Sequence, residues 1–461
     1  MNLVWITSDT LRCDSIGAYG SKIVYTPSMD NLAAKSMRFD RHYAASFPTM
    51  PARADFLTGR WSMSFMGWEP LPPDQTTVAQ VLAGEGFHTA GIVDTPFYIR
   101  GGMNYDRGFQ SFIEIPGQAT LGRPESKDIR SAFNSEYDRF APKTFYTAMQ
   151  WLEYHYQEDF FLYIDTWDPH DPWDAPKYYT ERYWPGYDGE VIPAPYDYWQ
   201  KVPGYTEERV KKALATYWGE VTMVDTWLGY FLRKLENMNL MENTAIIFTT
   251  DHGFYFGEHG GMFGKAIRAG AEDPKDKPQS DDQTGAADQA WDYSPLFEEL
   301  VAIPLLIYVP NNAPGNYQGL TSAIDLMPTV MDIMGVEAPS FVEGQSLLPK
   351  LRDPSLSGRE YVVSTSAWSN AGDSVRIVDD MSREMAKAAG STVTTDEWSL
   401  LYAVEPGLSS LYNLKSDPKQ EKNVINEHTD VANELLDLMV KLMRETNVEK
   451  RLMETRLELR L

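Results

Sequence analysis

Two acid-bearing segments of this chain have residue types that could do chemistry together. Asp9 follows the apolar run Leu3–Ile6 and Thr7-Ser8, and Asp251-His252 follows Ala245-Ile246-Ile247-Phe248 and Thr249-Thr250. Two carboxylates and an imidazole, if brought together, suit one divalent cation, from Mn²⁺ or Ca²⁺ to Zn²⁺. An Asp at a strand end is also a common turn or N-cap residue, so these residues alone leave both readings open. His170 lies in the loop Asp168-Pro169-His170-Asp171-Pro172-Trp173 and not on an apolar face, which suits a site role. His42, His88, His155 and His428 have no comparable context.

The elements that must position these groups read as an α/β chain. Leu3–Ile6, Ala245–Phe248 and Pro304–Val309 are short apolar runs expected as buried strands, and Val210–Asn237 has apolar residues at helical spacing. Helices alternating with buried strands predict a large, mostly parallel sheet, and such sheets carry chemistry at the carboxyl ends of their strands. Phe145–Trp199, dense in Tyr, Trp, Pro and Asp, is expected to form loops over the site. Lys265–Trp291, polar and rich in Gly, Pro and Asp, reads as an insertion or lid. Beyond Leu351 the texture changes: Tyr361–Val363 and Leu400–Val404 read as strands and Asp430–Glu445 as an amphipathic helix. The expected division is a catalytic unit over 1–350 and a smaller α+β unit over 351–461, with a small antiparallel sheet and a terminal helix.

Composition narrows the function class. The chain has 461 residues, 43% of them hydrophobic, enough for a large core. A net charge of −25 speaks against nucleic acid or an anionic membrane as partner, although an acidic surface also serves solubility alone. Cys13 is the only cysteine, which rules out an intramolecular disulfide and a Cys-rich zinc site. Met1–Ile6 lacks the basic and apolar regions of a signal peptide, and no run of about 18 apolar residues occurs. The expected location is cytoplasmic.

A further motif links these features. Thr49-x-Pro51-x-Arg53, followed in register by Phe56-Leu57-Thr58-Gly59-Arg60, resembles the nucleophile motif of the sulfatase family, Cys/Ser-x-Pro-x-Arg then Leu-Thr-Gly-Arg. Asp9-Thr10-Leu11-Arg12 and Thr26–Ala33 are similar to the family's entry, and Asp165–Trp173 to its Pro-His-x-Pro loop. Thr250-Asp251-His252-Gly253, with Gly257–Gly260 and Lys265, is similar to its second metal segment and active-site lysine. Ser409–Pro418 is similar to a strand of its C-terminal domain. The resemblance covers almost the whole chain. It implies an alkaline-phosphatase-like α/β sandwich and one divalent metal, Mn²⁺ or Ca²⁺ favoured over Zn²⁺. The implied ligands are Asp9, Thr49, Asp251 and His252. It also implies that Thr49 is the nucleophile, that Arg53 and Lys265 stabilise the transferring group, and that His170 orients substrate or protonates the leaving group. The implied partner is a small anionic ester; a homo-oligomer is compatible with it.

Two departures from the family pattern bear on the reaction. The residue that sulfatases oxidise to formylglycine is Thr49 here, and threonine cannot undergo that conversion. Gly91-Ile92-Val93-Asp94-Thr95-Pro96 lacks the lysine and histidine that grip sulfate in many sulfatases, and Thr10 stands where many have a second metal-binding aspartate. A phosphothreonine can be hydrolysed by water at a metal site, whereas a threonine sulfate ester lacks the gem-diol exit. The expected activity is therefore hydrolysis of a phosphodiester or phosphonate monoester. The alternatives are a sulfatase using unmodified threonine and a catalytically silent binding protein.

Overall fold

The computed structural model describes residues 1–95, 102–115, 133–265, 294–367 and 390–461, with backbone alone at 267–268, 291–293, 369–370 and 384–385. The expected lid, Lys265–Trp291, therefore lies almost wholly outside the described residues. The strands that matter to the site are β1 (Asn2–Ser8), β2 (Met37–Tyr43), β3 (Ser46–Phe47), β4 (His88–Val93), β5 (Ser111–Glu114), β6 (Phe160–Thr166) and β7 (Thr244–Thr249). They continue with β8 (Ala302–Tyr308), β9 (Gly315–Tyr317), β10 (Val362–Ser366), β11 (Ser391–Thr394), β12 (Trp398–Tyr402) and β13 (Ser410–Asn413). The central sheet runs β9-β2-β8-β7-β1-β6-β4-β5. From β7 to β5 every pairing is parallel; β8, the expected strand at Pro304–Val309, runs antiparallel to both β7 and β2.

Both faces of this sheet are covered, which is why its strands read as continuous apolar runs. Leu3 and Trp5 of β1 enter one core and Val4 and Ile6 the other, the alternation a pleated strand requires. On the first face pack α1 (Thr49–Thr58) and other helices; on the second pack α2 (Phe140–His155) and α3 (Glu207–Asn237). α3 matches the expected Val210–Asn237 helix and begins three residues earlier. The Thr206 side chain accepts from Arg209 N there, and Glu207 and Glu208 favour its positive end. No helix among the described residues is long and apolar enough to cross a membrane.

The reading of Phe145–Trp199 as loops is corrected over its first third. Phe140, Phe145, Ala148, Trp151 and Leu152 line one buried face of α2, and Phe160–Thr166 is β6, fully buried and paired with β1. The tyrosines and histidine that suggest a loop are on the solvent side of α2, where Tyr154 is 81% exposed. Residues 167–199 are largely irregular, with one short helix at Lys177–Glu181.

A second sheet, β13-β12-β11-β10-β3, is antiparallel except where β10 runs beside β3. β3 precedes Thr49 by two residues, so the C-terminal strands extend directly to the start of α1. The helix α4 (Thr429–Glu445), expected over Asp430–Glu445, buries Leu435, Leu436, Met439 and Met443 in the first core.

Because the α3 cap and the α3 core face act separately, two substitutions distinguish them. Thr206→Ala should cost about 1 kcal/mol of unfolding free energy, and Leu228→Ala, fully buried, about 2–5 kcal/mol. Denaturant titration with an unchanged m-value is the check; equal losses would contradict this division.

Candidate active site

Parallel pairing sets the site, because it brings strand ends that are far apart in sequence to one edge. Ser8 of β1 lies beside Thr166 of β6, and Thr7 beside both Asp165 and Thr249 of β7. Asp9, Asp165 and Asp251 therefore converge, and all three are fully buried. α1 delivers Thr49 and Arg53 to the same place. It is buried along its whole length and ends at Gly59 in the left-handed conformation (φ 65°). A Cβ on Gly59 would lie 2.9 Å from Val342, which accounts for glycine in the Leu57-Thr58-Gly59-Arg60 segment.

Arg53 is the hub. Its Nε and Nη2 bind the two oxygens of Asp165 at 2.8 Å each, a bidentate pair. Nη1 donates to Asp251 Oδ2 and, at 3.2 Å, to the Thr49 carbonyl, and Nη2 is 3.0 Å from Asp9 Oδ2. The sequence reading aimed this guanidinium at a bound oxyanion; the structure sets it instead among three carboxylates. Asp165 is further held by Tyr163 Oη and Thr95 Oγ1, each donating at 2.6 Å. The sequence reading gave Asp165 no role. Its position at the end of an apolar run, as for Asp9 and Asp251, is the signal that could have found it.

Thr49 is 1% exposed and its Oγ1 is 3.5 Å from His252 Nε2. His252 Nδ1 lies 2.9 Å from the Gly253 carbonyl, so the tautomer protonated at Nδ1 leaves the Nε2 lone pair facing the site. Burial pushes His252 down to about 3, with Lys265 acting in the same direction and Asp251 opposing. Asp251 itself is held below the usual carboxylate range: burial would raise it, but His252, Arg53 and Lys265 outweigh that cost. Its Oδ1 accepts from His252 N at 2.8 Å and from Thr10 N at 3.2 Å.

The residues fit a divalent cation. Ligand atoms of Asp9, Asp251 and His252 all lie within 4.8 Å of one another. Neither Asp9 oxygen accepts a hydrogen bond of good geometry, and burial, reinforced by the Asp251 anion, pushes Asp9 well above its ordinary range. Thr10 Oγ1 is buried with no hydrogen-bond partner among the described residues. Thr10 also has φ 58°, a strained conformation for a β-branched residue. Tyr217 Oη holds that turn by donating to Thr10 O at 3.0 Å and accepting from Arg12 N at 2.9 Å.

His170 and Lys265 enter the same site. Lys265 is 3% exposed; burial lowers its pKa while Asp9, Asp251 and Asp171 act to raise it. Its Nζ lies 5.8 Å from the Trp167 ring centroid, and that ring stacks on His170 at 3.9 Å. His170 Nδ1 is 2.8 Å from Asp171 O and 2.9 Å from Asp171 Oδ1, and Asp171 is held by Tyr196 Oη at 2.8 Å. Burial and then Lys265 lower the His170 pKa. Asp168 accepts from Ala141 N at the start of α2. Asp94 braces the site from behind by accepting from Trp167 N and Thr144 Oγ1. His259 binds Glu299 at 2.8 Å, while Glu258 pairs with Arg12 at 2.6 Å.

Comparison with known proteins agrees with this arrangement. The family model described as Sulfatase matches residues 1–336, and one described as N-sulphoglucosamine sulphohydrolase, C-terminal, matches residues 288–447. The chain belongs to the sulfatase family. It is an ester hydrolase of the sulfatase superfamily, a group whose members generally bind a divalent metal. It is 22% identical to an arylsulfatase of Clostridium perfringens, over 96% of this chain and 93% of that one. It is 23% identical to an N-acetylglucosamine-6-O-sulfatase of Bacteroides thetaiotaomicron, over 95% and 85%. Among solved structures, the phosphonate monoester hydrolase of Agrobacterium radiobacter superposes with a TM-score of 0.75 at 20% identity, covering 96% of each chain. This family fold has the α/β sandwich with a C-terminal sheet that the sequence implied.

The hub makes a sharp prediction for this sulfatase-family site. Asp165→Asn removes one member of a buried ion pair and should destabilise the protein by about 3–5 kcal/mol. It should also weaken divalent-metal binding by about 10–100-fold, because Arg53 then competes for Asp9 and Asp251. Thermal unfolding and metal titration measure the two effects, and unchanged metal affinity would show that Arg53 does not position those carboxylates.

Proposed function

We propose that this protein hydrolyses phosphodiesters or phosphonate monoesters at a single divalent-metal centre, with Thr49 as the nucleophile. The observation that carries this reading is the Thr49 hydroxyl, buried at the start of α1 and 3.5 Å from His252 Nε2, at the position where a formylglycine precursor would stand. Fold likeness to the phosphonate monoester hydrolases of Agrobacterium radiobacter and Silicibacter pomeroyi, the latter with a TM-score of 0.74, is compatible with it. A sulfatase acting with unmodified threonine is the second reading, favoured by the arylsulfatase and N-acetylglucosamine-6-O-sulfatase among its relatives. Conservation of neither reaction follows from the fold alone.

Asp9, Asp251, His252 and the Thr49 oxygen would hold the metal, for which the oxygen-rich set favours Mn²⁺ or Ca²⁺ over Zn²⁺. A bound dication supplies positive charge that polarises the ester and lowers the pKa of a nearby hydroxyl. Arg53 keeps the three carboxylates in register and holds the Thr49 carbonyl, so the hydroxyl is presented without reorganisation. The helix start adds favourable potential where negative charge develops. Thr49 Oγ1 bonds to phosphorus as the bond to the leaving oxygen breaks, the hydroxyl proton passes through water to that departing oxygen, and Lys265 stabilises the equatorial oxygens. His170, held neutral by burial and with Nδ1 directed at Asp171, is suited to orient the leaving oxygen and the water that later releases the phosphate monoester or phosphonate from Thr49.

Thr49→Ala should abolish turnover with little change in Tm, and the intact mass of the wild type should show no aldehyde. Near-wild-type turnover by the variant would mean that water attacks directly. EDTA should abolish turnover in the same assay, and full activity of metal-free enzyme would end the metal assignment.

The substrate class is checked by bis-nitrophenyl phosphate, nitrophenyl phenylphosphonate, nitrophenyl phosphate and nitrophenyl sulfate, compared with the same metal-loaded enzyme. The diester or phosphonate should exceed the sulfate by at least about a hundredfold in kcat/KM, or about 2.7 kcal/mol of transition-state stabilisation. A preference for the sulfate would establish the second reading.

A further inference from the structure

The edge of the sheet opposite Thr49 carries a second constellation of three residues, one of them far along the chain from the other two. His88 opens β4, His155 closes α2, and Glu158 lies in the turn from α2 to β6. His155 Nδ1 is 2.9 Å from Glu158 Oε1, and His88 Nδ1 contacts Glu158 Oε2. One ligand atom from each residue lies within 4.8 Å of the other two. The backbone holds the three in place: His88 N donates to Asp159 O at 2.8 Å and Glu158 N to His155 O at 3.0 Å. Trp151 stacks on His155 at 4.5 Å and meets His88 edge-on at 5.3 Å, which limits both imidazoles to their present orientation.

We propose that His88, His155 and Glu158 form a second metal site, separate from the hydrolytic centre, that takes Zn²⁺. Two imidazoles direct Nδ1 at one carboxylate, and a single dication can replace both of the protons that would otherwise sit between them. Two nitrogen donors and one oxygen suit a borderline metal; Ca²⁺ and Mg²⁺ require more oxygen ligands than this group offers. Ser111 Oγ lies 3.4 Å from His88 Nε2, placed to accept its proton and leave Nδ1 as the ligand, the usual support for a metal-binding histidine. The side chains of His88, His155 and Glu158 are 19%, 25% and 46% exposed, so an ion can enter and water can complete its coordination. The site lies roughly 20 Å, a strand's length, from Asp9 and Asp251. A metal there joins the end of α2 to the starts of β4 and β6, and binding to the folded state alone stabilises it by mass action.

The experiment counts Zn²⁺ on the full-length protein after EDTA treatment and equilibrium dialysis. Wild type should bind one more Zn²⁺ per chain than the His88→Ala/His155→Ala variant, with equal ester hydrolysis by the two. Zn²⁺ at about 100 times its Kd should raise the wild-type Tm by about 3 °C more than that of the variant. Should the double variant fold poorly, Glu158→Gln replaces an exposed group and should weaken this Zn²⁺ at least tenfold. Equal Zn²⁺ content in wild type and variants would overturn the proposal and leave the triad a hydrogen-bonded cluster. The count is independent of the reaction catalysed at Thr49.

Discussion

The buried guanidinium of Arg53 is the interaction on which this structure depends. Three strands, β1, β6 and β7, each end near a carboxylate, and three such charges cannot share a dry interior unless cations compensate them. Arg53 reaches all three from α1. The contact therefore joins α1 to the centre of the sheet and keeps Asp9, Asp165 and Asp251 at fixed spacing. Breaking it would leave carboxylates buried and unpaired, a larger cost than the loss of any one apolar contact.

The surrounding structure keeps that arrangement from relaxing. Thr10 stays in the left-handed region because Tyr217 holds its carbonyl and Asp251 accepts its N–H. Asp165 stays in place because Tyr163 and Thr95 both donate to it. Asp94 does the same for the Trp167 loop and, through it, for His170. Each of these braces restricts a group that lies at the strand ends beside Arg53 or His170. Asp94 and Thr95 thus serve the scaffold behind the site.

The C-terminal sheet contributes to the site and is more than an appendage. β3 belongs to that sheet by pairing and precedes Thr49 by two residues, and Phe47 at its end lies edge-on to His252 with ring centroids 4.9 Å apart. Displacement of the C-terminal strands would move the start of α1 and the ring of His252 together. The strands beyond residue 350 thus reach the site through their pairing with β3.

Much of this was legible in the chain itself. Apolar runs ending in Asp9 and Asp251-His252, the Thr49-x-Pro51-x-Arg53 spacing, and the periodicity of α3 specify a sandwich with chemistry at its strand ends, because strand and helix periods are local properties. The sequence also decided that no formylglycine can form at Thr49. Only the tertiary structure gave Arg53 three carboxylate partners and brought Asp165 into the site, since both depend on which strands become neighbours. It alone joined His88 to His155 and Glu158. Their meeting follows from the parallel pairing of β4 with β6 and from the length of α2, and no local spacing encodes either.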